Sequence, residues 1–236
     1  MPPSTCRSSG HFTVTGVRSE TGAGVSSFGG GGILGPNEYS LQINTNASAT
    51  TAVCAGHSGC TVWQQFLYAT DYAKKGEAAV FMQYWLVRWG TGACPAGWNK
   101  SQTDCWKNSA YVAAPDMPIT SLGKLTLMGS AIPGATDTVV FGSGTQAYSI
   151  TTRDSVLDIG LVWRESEFNV VGNGGGSRAD FNSGSSVTVS LTLTDGSASA
   201  PLCAAHVGLT GETNNLNLGK CVASAGTPAI RFTESN

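Results

Sequence analysis

Clusters of Gly, Pro, Asn and Asp cut this chain into short runs, leaving little room for an amphipathic helix. Inside many of these runs apolar residues alternate with polar ones, the period-2 pattern of half-buried strands. Strand candidates cover Tyr39–Thr45, Thr61–Thr70, Ala79–Trp89, Tyr111–Val112, Gly123–Met128, Asp137–Phe141, Gln146–Thr151, Leu157–Val171, Ser186–Thr194 and Ala229–Thr233. Only Thr152–Ile159 and Ser101–Lys107 read as helical, and both are short. The pattern predicts an all-β fold, a two-sheet antiparallel β-sandwich of jelly-roll or concanavalin-like type with few short helices. Residues 1–38 read as a Gly/Ser-rich N-terminal segment with an edge-strand candidate at His11–Val17, and residues 39–236 as one sandwich domain.

Composition agrees with that class. There are 31 glycines and only 12% charged residues, while 41% apolar residues are enough to bury a core. The net charge of −2 and the scattered 13 Lys and Arg argue against nucleic acid or an anionic membrane as partner. No apolar run approaches the ~20 residues of a membrane helix. Six of the seven cysteines fall into neighbouring pairs: Cys54 with Cys60, Cys94 with Cys105, and Cys203 with Cys221. Short-loop disulfides and an oxidising compartment follow, with Cys6 left over. The N-terminus has no basic and apolar leader, which fits either the mature form of a secreted chain or a cytosolic protein, and the cysteines favour the first. Asn46-Ala47-Ser48 and Asn99-Lys100-Ser101 fit the N-glycosylation pattern.

Two runs are informative about a site. In Phe81–Trp89 both faces are bulky: Phe81, Gln83, Trp85, Val87 and Trp89 on one, Met82, Tyr84, Leu86 and Arg88 on the other. Such a strand is central, with the core on one side and a groove on the other. In Val62-Trp63-Gln64-Gln65-Phe66 the adjacent glutamines present one amide to each face, and an unpaired buried amide costs about 1–3 kcal/mol. At least one therefore faces a wet groove. In Leu161–Val171, Trp163, Glu165, Glu167 and Asn169 are expected to share a face.

The commoner catalytic and ligand motifs are missing. There is no Gly-x-Ser-x-Gly, no His-Glu-x-x-His and no Cys-x-x-Cys, and His11, His57 and His206 are far apart in sequence. Gly30–Gly35 matches a phosphate-loop pattern, but Pro36 follows it instead of a helix. Asp180-Phe181-Asn182 lacks the remainder of a calcium loop. No metal or other cofactor is expected. What is left is carboxylates, amides and aromatics. A glutamate serves as general base for water, and a glutamine amide holds that water and then the oxyanion.

Those residues resemble the glutamic peptidases, or eqolisins. Cys60-Thr61-Val62-Trp63-Gln64-Gln65 resembles the strand bearing the family's glutamine, and Phe81–Trp89 the aromatic strand after it. Ser166-Glu167-Phe168-Asn169-Val170-Val171 resembles the strand bearing its glutamate, and Ala179–Val189 the strand entry beyond. The resemblance spans roughly residues 39–195. It implies a secreted, acid-active endopeptidase with Glu167 as base and Gln64 as its partner, Gln65 being the alternative. Trp85, Gln83, Trp63 and Glu165 would line the cleft for a polypeptide substrate. Phe168 stands where the family usually carries Trp, and Gln83 and Val87 stand where acidic residues are expected. Two other readings fit the same residues. One is a lectin-like module in which Trp63, Trp85, Trp89, Trp98 and Trp106 stack on a glycan. The other is a glycoside hydrolase using Glu165 and Glu167 as paired carboxylates.

Overall fold

A computed structural model describes residues 5–25, 31–204 and 210–236. His206 and the start of the Gly30–Gly35 run lie outside the described residues. The strands are β1 (Cys6–Thr15), β2 (Glu20–Ala23), β3 (Gly35–Pro36), β4 (Tyr39–Thr45), β5 (Thr61–Lys74), β6 (Glu77–Val87), β7 (Asn99–Ser101), β8 (Asp104–Asn108), β9 (Val112–Pro115) and β10 (Leu125–Ala131). They continue as β11 (Thr136–Ser143), β12 (Gln146–Arg153), β13 (Ser166–Gly172), β14 (Arg178–Phe181), β15 (Ser186–Thr194), β16 (Thr213–Asn214), β17 (Asn217–Leu218), β18 (Val222–Ser224) and β19 (Ala229–Ser235).

The strands form an antiparallel two-sheet sandwich. One sheet of eight strands runs β12-β11-β10-β1-β15-β19-β17, with β18 also on β19. The facing sheet of seven runs β13-β4-β5-β6-β8-β7, with β9 also on β6. A small four-stranded sheet, β16-β14-β2-β3, closes one end and contains a parallel pair, β14 with β16. The expected sandwich is therefore the observed fold, and β6 is the interior strand its two bulky faces require.

Several local expectations change. His11–Val17 is not an edge: the strand runs Cys6–Thr15 and lies between β10 and β15, where its alternation of buried and exposed residues fits one apolar and one polar face. Ser101–Lys107 is a β-hairpin, not a helix; Asp104–Asn108 pairs with β6 on one side and Asn99–Ser101 on the other. The long run Leu157–Val171 is a strand only from Ser166, and two 3-10 turns, Asp154–Val156 and Ile159–Leu161, precede it.

Two glycines key the sheets together. A Cβ on Gly10 would meet the Phe168 ring at 2.2 Å, and one on Gly129 would meet the Phe66 ring at 2.5 Å. Each ring of one sheet thus drops into the side-chain gap of a glycine on the other. Around them Phe12 packs on Phe168 at 4.8 Å between ring centroids, Trp163 on Phe66 at 5.3 Å and Tyr68 on Phe141 at 3.9 Å. Because side chains alternate along a strand, seating Phe66 and Phe168 inward sends Gln65 and Glu167 to the outer face.

The three disulfides pair as expected, Cys54–Cys60, Cys94–Cys105 and Cys203–Cys221, and Cys6 is free and buried. No helix among the described residues is long and apolar enough to cross a membrane.

Candidate functional site

The outer face of the seven-stranded sheet carries a row of polar side chains one strand apart. Glu167 on β13 registers with Asn44 on β4, Asn44 with Gln65 on β5, Gln65 with Gln83 on β6, and Gln83 with Asn108 on β8. Two residues along the same strands lies a second row, Trp63, Trp85 and Trp106. These indoles contact one another, with ring centroids 5.9 and 6.1 Å apart.

Hydrogen bonds run along the polar row with a direction. Asn44 Nδ2 donates to Glu167 Oε2 at 3.3 Å, and Gln65 Nε2 donates to Asn44 Oδ1 at 3.1 Å. The other Gln65 N–H goes to Gln42 Oε1 at 3.0 Å. Trp85 Nε1 donates to Gln65 Oε1 at 3.3 Å and to Gln83 Oε1 at 2.8 Å. Gln83 Nε2 then donates to Asn108 Oδ1 at 2.9 Å. An indole only donates and an ionised carboxylate only accepts, so the two ends dictate which way each intervening amide points. Asn44 and Gln65 are buried, while Glu167, Gln83 and Trp85 are half-buried.

The two glutamines separate. Gln65 lies in the row; Gln64 points into the space between the sheets, fully buried, with Nε2 donating to Asp137 Oδ2 at 3.0 Å. The preference for Gln64 as partner of Glu167 is therefore reversed, because the core takes Val62, Gln64, Phe66 and Tyr68 as one face of β5. Asp137 is also fully buried, and it makes no ion pair among the described residues. Burial, reinforced by Asp154, pushes its carboxyl up to about 8, with the Gln64 amide pulling the other way.

Other candidates fall elsewhere. Trp163 is buried against Phe66 rather than beside Glu167, since the chain before Ser166 is turned and alternation does not reach it. Glu165 lies in that same stretch, ahead of β13. Trp63, Trp85 and Gln83 all sit on the Glu167 face; Trp89 lies beyond the strand and stacks on His57 at 3.3 Å. Asp180 is ion-paired to Arg178, and Asn182 Oδ1 caps the backbone N–H groups of Arg18 and Ser19. Asn46 is buried, its side-chain oxygen accepting from Arg164 N at 2.8 Å, whereas Asn99 is exposed. Among the described residues no group of three or more His, Cys, Asp or Glu is placed to hold a metal ion.

Sequence reasoning missed Asn44. Its signal was present: Gln42 and Asn44 alternate in Tyr39–Thr45 and fall on one face. Only the pairing of β4 between β5 and β13 places that face between Gln65 and Glu167. Comparison of the chain with protein-family models, curated proteins and solved structures finds no match, so the likeness to glutamic peptidases rests on the residue pattern.

Proposed function

We propose that this chain is a secreted endopeptidase of glutamic type, with Glu167 as general base and Asn44, held by Gln65, as its amide partner. The observation that carries the reading is the unbroken bonding of Glu167 to Asn44 and of Asn44 to Gln65 on one sheet face, next to Trp85. A rigid sheet holds such groups within the tolerance that proton transfer needs. The three disulfides support an oxidising compartment.

In this mechanism Glu167 takes a proton from a water, and the water oxygen bonds to the peptide carbonyl carbon. The carbonyl π electrons move to oxygen. Both N–H groups of Gln65 are already committed to neighbours, whereas Asn44 Nδ2 makes one bond, to Glu167, and has a second N–H. That second N–H is the donor for the water and then for the oxyanion. Protonated Glu167 next delivers its proton to the amide nitrogen, the C–N bond breaks, and a carboxyl and an amine are released. The test is digestion of denatured casein across about pH 2–7 by wild type and Glu167→Gln. Loss of at least about a hundredfold in the variant supports the base; equal cleavage by both rejects it.

The Trp63–Trp85–Trp106 row favours a second reading, a glycan-binding face in which the half-buried Trp85 and Trp106 stack on sugar rings. Glycan binding unaffected by Glu167→Gln, with no peptide cleavage, would select it.

A further inference from the structure

Beside the polar row, on the same face, the sheet holds a recess of about 60 Å³. Leu67 and Phe81 form its apolar floor, and the Tyr72 ring stacks on Phe81 at 4.6 Å to make one wall. Gln65 and Gln83, both members of the row, line it as well, and so does Glu212. The volume holds roughly four waters, which is about the bulk of a lysyl side chain beyond its Cβ.

The chemistry of the lining asks for a donor with positive charge. Among the described residues that line the recess, Glu212 is the one that carries charge. Its Oε1 accepts from Gly176 N at 3.0 Å. Both N–H groups of Gln65 are spent, and Gln83 has spent one on Asn108. The Oε1 atoms of these amides each keep a lone pair. The stacked Tyr72 and Phe81 rings add a surface that attracts a cation.

We propose that this recess is a side-chain pocket for a primary ammonium group, taking a lysyl side chain of a polypeptide substrate with Glu212 as counter-charge. Its role in substrate choice rests on the endopeptidase reading above; its selectivity for an amine does not.

The probe is n-butylammonium, with 1-butanol as the neutral control of the same shape, followed by NMR of the side-chain NH2 signals of Gln65 and Gln83. Butylammonium should shift those signals and bind at least tenfold more tightly than butanol. Glu212→Gln, which keeps the acceptor for Gly176 N, should bring it down to the level of butanol. Equal binding of the two probes, or unchanged ammonium binding in Glu212→Gln, overturns the pocket. A peptide library digested in parallel separates the two claims. Cleavage with no enrichment of Lys and no ammonium preference removes the pocket and leaves the peptidase. Ammonium preference without cleavage at any pH keeps the amine site and removes the peptidase.

Discussion

Asn44 donates to Glu167 at 3.3 Å while accepting from Gln65 at 3.1 Å, so one neutral amide joins the carboxylate to the glutamine. Glu167 and Gln65 are two strand spacings apart, roughly 10 Å between backbones. Asn44 fills the position between them.

Replacing that amide by a carboxylate changes the charge at nearly constant shape. In Asn44→Asp a second anion beside Glu167 favours the protonated base, so the acid limb of the activity profile moves to higher pH. The donor to Glu167 is lost as well, and activity at the optimum should fall at least about tenfold. A pH–rate profile of wild type against Asn44→Asp reads both effects, and an unmoved acid limb would contradict the placement of Asn44.

Trp85 orients two amides through one N–H. Trp85→Phe keeps an aromatic ring on the sheet and removes that donor. Gln83 then loses the group that distinguishes its oxygen from its nitrogen, and Gln65 keeps only the constraint that reaches it through Asn44. Activity should fall about tenfold while stability changes by only about 1 kcal/mol. Urea unfolding beside the kinetics tests this; a large stability loss with normal activity per folded molecule would make Trp85 a packing residue alone.

The glycines opposite the rings should be intolerant of a methyl group. Gly10→Ala and Gly129→Ala each place a Cβ against Phe168 or Phe66 in a filled interior. Overpacking of this kind costs about 1–3 kcal/mol. In Gly129→Ala, adding Phe66→Leu should recover part of the loss, because a smaller side chain then faces the new methyl. Urea midpoints for the single and double variants measure it, and additive losses would show the two positions to be uncoupled.

Buried carboxyls that make no ion pair among the described residues make stability depend on pH. Burial pushes Asp137 and Glu20 up to about 8, with Asp154 adding to the first and Glu38 to the second. Burial also pushes Glu38 and Glu234 up to about 7; Asp71 adds to the former, and amides of Asn169 and Asn214 oppose the rise in the latter. The unfolded chain releases these protons from about pH 4 upward, while the native fold holds them until about pH 7 to 8. The stability these four groups contribute is therefore full below about pH 4 and is lost progressively toward pH 8, by up to about 1.4 kcal/mol per pH unit for each group. Asp137→Asn, neutral at every pH, should flatten part of that decline. Unfolding free energies at pH 4, 6 and 8 test it, and identical slopes in wild type and variant would show Asp137 to be ionised in the native fold.

Much of the architecture was legible from residue pattern. Regular punctuation and alternation predicted the sandwich, and cysteine spacing predicted the pairs Cys54–Cys60, Cys94–Cys105 and Cys203–Cys221. The pattern failed where turns and short hairpins compete with longer elements. Ser101–Lys107 has a helix-like length but is tied down by pairing to β6. Trp163 belongs to a run that alternates in sequence, yet 3-10 turns break it before the strand begins.

For the site, alternation alone settled that Gln64 and Gln65 face opposite ways. It could not settle which one faces the groove, because a period of two has no sign. That sign came from the facing sheet, where the gap at Gly129 receives Phe66 and so turns Gln65 outward. The link from Glu167 to Gln65 was likewise beyond local sequence, since it runs through Asn44 on β4, more than a hundred positions from Glu167 along the chain. Strand pairing is set by burial and register across the whole sandwich, and only that packing could bring the three residues into one row.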